Sequence, residues 1–245
     1  MCELFAMSAG QNYTAQDYLP VFADKSRDNI SGWGIGFFRG GQVVIEKSCE
    51  GIYAGDHVHD SFQRLARVVD SRIIISHIRC PKAGHQKESQ AQPLSAEFLE
   101  HQWLFSFTGE SKKGMGYPSP RPILAEELLA ARVFEFVRDG MEAGMSDWPD
   151  QSLYQTLAVT CKKLITDYPG EYIFFLANET VLFAFLNHGQ VLTYQPPEGD
   201  SLVLTTVSGG LTRDPEHWQS YANPDPGRGQ ILIISGADLL YQGHL

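Results

Sequence analysis

The sequence predicts an α+β protein rather than a doubly wound α/β one. Aromatic and β-branched runs gather toward both ends of the chain, and the helical periodicities fall between them. Strands and helices are thus segregated, whereas a parallel sheet requires them to alternate. The chain has 245 residues, 43% hydrophobic and 20% charged, enough apolar surface for a sizeable core and unlike a disordered or collagen-like composition. No repeat, low-complexity stretch or Ser/Gly-rich linker divides it, and the loop Asn223-Pro224-Asp225-Pro226-Gly227 lies too near the end to separate domains. Residues 1–245 therefore read as one domain.

A first helix is expected within residues 14–28. Residues 33–38 and 42–47 are strand-like runs separated by Arg39-Gly40-Gly41, the pattern of a hairpin with a glycine turn. Gly32, Gly34 and Gly36 do not make a dinucleotide loop, because Phe37 and Arg39 break G-x-G-x-x-G and a strand follows where a helix is required. Phe62, Leu65, Ala66 and Val69 recur at helical spacing behind Asp56 or Asp60 as the cap. A buried strand at 72–76 leads through a polar connection to an apolar run at 103–107. Pro118, Pro120 and Pro122 precede a helix at 123–140, and a second helix fits 152–166. Strands follow near 172–177, 181–186, 190–195, 202–207 and 230–235.

Charge narrows the function. Lys and Arg number 19 against 29 Asp and Glu, a formal net charge of -10, which argues against nucleic acid as a partner because phosphate binding needs clustered cations. The nearly uncharged region 172–197 is divided by Asn178-Glu179-Thr180 and Asn187-His188-Gly189-Gln190 into strand-length pieces. None reaches the roughly 20 apolar residues of a membrane span. The opening residues lack the basic and apolar runs of a secretory signal, and Cys2, Cys49, Cys80 and Cys161 form no C-x-x-C pair. A reducing cytoplasm is the expectation. His57 and His59 sit on different faces of a helix start, and Ser61 breaks an H-x-H-x-D-H pattern, so no metal is expected. G-x-S-x-G, H-E-x-x-H and G-x-x-x-x-G-K-[ST] are absent from the sequence.

Cys2 stands apart. Removal of Met1, expected before a small residue, leaves one residue with both a thiol and a free α-amine. That amine, with an ordinary pKa of about 7.7–8.0, can take the thiol proton and later return it to a leaving group.

Met1-Cys2-Glu3-Leu4-Phe5-Ala6-Met7-Ser8-Ala9 resembles the start of the class II glutamine amidotransferases, especially their small stand-alone members. Asn29 to Phe37 resembles that family's glycine-tryptophan-glycine hairpin, Ser76-His77-Ile78-Arg79 its H-x-R strand end, and Trp103 to Glu110 its W-x-x-x-H-N-G segment. The resemblance implies a four-layer αββα sandwich of the N-terminal nucleophile hydrolase type, and ammonia release from glutamine, or a related γ-glutamyl amide, through a cysteinyl thioester. Cys2 is then the nucleophile, and Gly109 N–H with the Thr108 hydroxyl serves the oxyanion. Arg79 holds the substrate carboxylate, a task suited to a planar guanidinium. Gly32, Trp33, Gly34 and His77 line the substrate site. No cofactor is implied. A separate enzyme accepting the ammonia is compatible with this reading, although no segment marks a surface for it.

The pattern also departs from the family. Thr108 and Phe107 replace an asparagine and a histidine. Lys82 stands where a substrate-binding hydroxyl or amide is usual, and Gln90-Ala91-Gln92-Pro93-Leu94 keeps only the proline of N-x-H-P-F. Tyr117 to Pro122 offers no carboxylate for the substrate amine and adds Arg121. The alternative function is a catalytically impaired relative that binds a ligand or partner in the same cleft.

Overall fold

The structure, a computed structural model, describes residues 2–29, 31–80, 91–112, 115, 125–147, 152–197, 199–212, 217–223, 225 and 227–245. Its first half contains β1 (Glu3–Thr14), α1 (Leu19–Lys25), β2 (Trp33–Arg39), β3 (Gln42–Ser48), β4 (Tyr53–Ala54), β5 (His57–Val58), α2 (Asp60–Val68), β6 (Asp70–Ile78), β7 (Leu94–Phe98) and β8 (His101–Ser111). Two helices follow, α3 (Ala125–Asp147) and α4 (Leu153–Asp167). Then come β9 (Gly170–Ala177), β10 (Leu182–Leu186), β11 (Gln190–Tyr194), β12 (Ser201–Thr205), β13 (Gln219–Ala222), β14 (Gln230–Ser235) and β15 (Asp238–His244).

Two antiparallel sheets face each other. One has seven strands in the order β13-β11-β12-β1-β6-β2-β3, the other six in the order β15-β14-β10-β9-β8-β7. Strand alternation divides the buried apolar side chains among three cores. Phe5, Met7, Trp33, Ile35, Ile74 and Ile78 pack outward on α1 and α2. Leu4, Ala6, Ile73, Ile75, Leu104 and Phe175 fill the space between the sheets. Phe105, Phe107, Phe174 and Phe183 pack outward on α3 and α4. The layers are therefore helix, sheet, sheet, helix, as the resemblance implied.

The helices start and stop for local reasons. Ser152 caps α4 with a complete capping box, its hydroxyl accepting from Gln155 N–H at 3.3 Å while Gln155 Oε1 accepts from Ser152 N–H at 3.1 Å. The cap of α2 is His59, not Asp56 or Asp60: its Nδ1 accepts from Ser61 N–H at 3.3 Å, and Asp60 is already the first helical residue. The β2–β3 turn is the expected one, with Gly40 and Gly41 at φ 58° and 77°. The strand β1 and the edge strands β7, β13 and β15 were not among the expected elements. Lys82, Gln90 and the stretch from Tyr117 to Pro122, including Arg121, lie outside the described residues.

Close contact between α3 and α4 rests on two glycines. A Cβ at Gly140 would lie 2.5 Å from Thr160 Cγ2, and one at Gly144 2.5 Å from Thr156 Cγ2. Gly140→Val should therefore force the two helices apart and cost about 1–3 kcal/mol, the usual range for overpacking. The guanidinium midpoint of the variant measures it, and an unchanged midpoint would contradict this packing.

Candidate active site

The position of Cys2 is set by a strand held on both sides. β1 lies inside the seven-stranded sheet, with Phe5 opposite Thr205 on β12 and Leu4 opposite His77 on β6. Thr206 reinforces its start. Leu4 N–H donates to Thr206 Oγ1 at 2.9 Å, while Leu4 C=O accepts from Thr206 N–H at 3.1 Å and Thr205 Oγ1 at 2.9 Å. The Thr206 hydroxyl donates in turn to the Glu3 carboxylate. Burial pushes the Glu3 pKa up, and the Thr206 bond partly opposes that. Cys2 itself is buried, and its Sγ accepts the Cys80 N–H at 3.2 Å. A backbone donor aimed at sulfur favours the thiolate over the thiol.

The end of β6 carries the next groups. His77 belongs to the same alternating set as Ile73 and Ile75, between the sheets, and is fully buried, its ring near the Phe107 main chain but without a hydrogen bond of good geometry. Burial pushes its pKa down to about 3; the Arg79 charge acts in the same direction and the Phe107 main chain in the other. The imidazole is therefore neutral at pH 7. Arg79 is 5% exposed. Its N–H donates to Gly32 C=O at 2.9 Å and its C=O accepts from Ser31 N–H at 3.4 Å, so the start of the hairpin fixes the main chain of the arginine. Gly32 has φ 122°, and a Cβ there would lie 2.8 Å from Ser48 O.

Along β2 the two predicted neighbours part company. Trp33 points to the helix layer, its ring centroid 5.3 Å from that of Phe62 and 5.4 Å from that of His59. It is core packing on the face away from the space between the sheets. Gly34 and Gly36 face that space: a Cβ at Gly34 would lie 2.2 Å from Gln92 O, and one at Gly36 2.7 Å from Leu104 Cδ2.

The facing sheet contributes β8. Thr108 falls in the set of Leu104 and Ser106, between the sheets, and is 3% exposed. Gly109 has φ 154°, and a Cβ there would lie 2.0 Å from Glu171 O, so only glycine fits. Tyr172, the residue opposite Gly109, gives its N–H to Asn187 Oδ1 at 2.7 Å and its C=O to Asn187 N–H at 3.1 Å. Gly109 is therefore a non-hydrogen-bonded position of the β8–β9 ladder, and its N–H points toward the other edge of β8. Sequence reasoning compared Gln92 with the N-x-H-P-F segment but gave it no role; its buried side chain binds the Phe107 main chain twice. Oε1 accepts from N–H at 2.7 Å, and Nε2 donates to C=O at 3.1 Å.

Other features lie elsewhere. A recess of about 550 Å³ between α3 and α4, lined in part by Phe136, Gly140, Thr160 and Lys163, is on the far side of the six-stranded sheet. Among the described residues no group of three or more His, Cys, Asp or Glu is placed to hold a metal ion.

Comparison with known proteins fits this geometry. The family described as glutamine amidotransferases class-II matches residues 1–201. The chain belongs to the class-II glutamine amidotransferases. It is 22% identical to an uncharacterised protein of Methanocaldococcus jannaschii, over 98% of this chain and 71% of that one. It is 26% identical to the γ-glutamyl-hercynylcysteine sulfoxide hydrolase of Mycobacterium tuberculosis, over 78% of each. The crystal structure of a predicted glutamine amidotransferase from Pseudomonas aeruginosa superposes with a TM-score of 0.62 at 17% identity, covering 98% of this chain and all of that one. At that identity the likeness shows the fold, and the fold is the N-terminal nucleophile hydrolase sandwich.

His77 makes the stability of this arrangement pH-dependent. Its folded pKa, about 3, lies below its unfolded value of 6.5, so between these values the unfolded chain binds the extra proton and stability falls as pH falls. Between pH 6.5 and 4.5, before most carboxylates titrate, the loss should approach about 1.4 kcal/mol per pH unit. Denaturant melts of wild type and His77→Gln across that window test it: the variant should lose most of the slope, and equal slopes would contradict it.

Proposed function

We propose that the chain hydrolyses glutamine or a related γ-glutamyl amide through a thioester at Cys2, with residues 1–245 working as one domain. The observation that carries the reading is the buried Cys2 sulfur receiving the Cys80 N–H at 3.2 Å, with the buried Arg79 adjacent in sequence to that donor. A relative named for hydrolysing a γ-glutamyl compound supports widening the substrate beyond glutamine.

The steps balance with the groups at hand. With Met1 removed, the Cys2 α-amine takes the thiol proton and the thiolate attacks the γ-carbonyl carbon. Negative charge develops on the carbonyl oxygen, where Gly109 N–H and the Thr108 hydroxyl are the proposed donors. Collapse breaks the C–N bond, and the α-ammonium gives its proton to the departing ammonia or amine. Water, deprotonated by the same α-amine, then cleaves the thioester to release glutamate and restore the thiol. Arg79 pairs with the substrate α-carboxylate, and neutral His77 beside it adds hydrogen-bonding capacity without a second positive charge. Gly32 and Gly34 shape the wall by their backbone, and Trp33 supports that wall from behind. A nucleophilic thiol suits a reducing cytoplasm. Among the described residues no helix is long and apolar enough to cross a membrane. A small molecule is the substrate, and ammonia is available to a separate acceptor enzyme.

Intact mass before and after a glutamine-like diazoketone tests the nucleophile. The native protein should begin at Cys2 and gain one adduct there, and Cys2→Ala should gain none and release no ammonia. A retained Met1 with no adduct would leave a binding-only relative as the correct reading. Thr108→Val, which removes the hydroxyl at nearly constant volume, should lower kcat by up to about 10²-fold while changing KM little; unchanged kcat would remove the hydroxyl from the oxyanion site.

A further inference from the structure

β7 and β8 pair with Leu94 opposite Phe105, so one more rung of the same register would place Gln92 opposite Phe107. That rung is not made by main chain. Pro93 has no N–H to continue a ladder, and the Gln92 side-chain amide takes the place of the missing strand, accepting from Phe107 N–H and donating to Phe107 C=O. One planar amide thus satisfies both main-chain groups of a residue at the open edge of β8.

Gln92 is held from the opposite sheet as well. Its carbonyl oxygen occupies the place a Cβ on Gly34 would need, 2.2 Å away. The neighbouring Ala91 C=O accepts from Lys47 Nζ on β3 at 3.2 Å. Gly34 pairs with His77, and His77 with Leu4. A continuous set of contacts therefore runs from the sheet that carries Cys2, through Gln92, to Phe107 on the sheet that carries Thr108 and Gly109.

The direction of the Phe107 groups matters. Odd-numbered residues of β8 turn their N–H groups away from β9, as the Tyr172–Asn187 bonds require at Gly109. Phe107 and Gly109 therefore aim their amides at the same edge, one rung apart. Gln92 occupies the first of these positions, and the second is the donor assigned above to the oxyanion. With β7 beginning only at Leu94, the bonds from Gln92 define where that edge lies relative to Cys2.

We infer that Gln92 is a positioning residue of the active site, setting the Gly109 N–H and Thr108 against Cys2 by clamping the main chain of Phe107. The inference rests on the amidase reading above. An oxyanion donor works only within a few tenths of an ångström of its place, because it must meet charge that exists only in the transition state. Loosening the rung before it should weaken transition-state binding and spare ground-state binding.

Two variants test this, assayed on γ-glutamyl-p-nitroanilide with glutamate γ-semialdehyde as inhibitor, since its thiol adduct carries the tetrahedral oxyanion. Gln92→Leu should lower kcat by about 10–10²-fold with KM within about threefold, and weaken the semialdehyde by the same factor as kcat. In Gln92→Glu the new carboxyl, when protonated, can both accept and donate as the amide does; when ionised it repels the Phe107 carbonyl. Its activity should approach wild type at low pH and fall as pH rises through the pKa of that buried carboxyl, a limb absent from wild type. If Gln92→Leu does not fold, the Gln92→Glu profile alone decides. Wild-type kcat in Gln92→Leu, a loss confined to KM, or a Gln92→Glu profile parallel to wild type would each overturn the proposal while the amidase reading stands. No diazoketone adduct on wild-type Cys2 would overturn both.

Discussion

The structure depends on two sheets meeting where one of them has no side chains. Gly34 and Gly36 present bare backbone from β2 to the facing sheet, and Gln92, Pro93 and Leu104 press into the space. A methyl group at either glycine would need room already filled, and protein interiors have little slack to give it. Gly34 and Gly36 therefore set how closely the facing sheet approaches β2. That approach also bears on the proposed active site, because Cys2 and Arg79 belong to one sheet and Thr108 and Gly109 to the other.

The same compactness fixes the electrostatics. His77 and Arg79 are both buried at one strand end, and burial, with the Arg79 charge acting in the same direction, keeps the imidazole neutral. In the proposed reaction the guanidinium faces the substrate carboxylate, in the fork geometry that arginine matches. The formal charge of -10 belongs to the chain as a whole and does not describe this strand end, where the buried ionisable side chains are His77 and Arg79.

What was legible in the sequence follows from the range of the interactions. The β2–β3 hairpin could be read because its turn glycines are local, and α4 because its Ser152 and Gln155 cap lies within one turn. The start of α2 was misassigned to an aspartate because His59 caps through a ring nitrogen, a use that composition does not suggest. The edge strands β7 and β15 escaped because half their residues face solvent and their pairing partners define them. Gly109 could be singled out as a candidate donor, yet that its N–H is not spent on β9 depends on Asn187, far along the chain. Gln92 was unreadable for the same reason: its two bonds reach Phe107, 15 residues away, and exist only once the sheets are assembled.

Phe107 and Thr108 replace two adjacent polar residues of the family pattern, but the fold separates their consequences. The Phe107 side chain turns into the helix-side core, with ring centroids 6.4 Å from Phe105 and 6.1 Å from Tyr172. An apolar residue suits that surrounding, and only the Phe107 main chain takes part in the edge that Gln92 holds. Thr108 turns the opposite way, into the space between the sheets with Cys2 and His77. Its hydroxyl is shorter than an asparagine amide, so it can serve the same oxygen only if β8 stands closer to Cys2 or is held more rigidly there. Under the proposed mechanism the bare face of β2 gives the close approach and the amide clamp at Gln92 the rigidity. On that reading the shortened donor and the held strand edge are parts of one arrangement, and neither has the same meaning without the other.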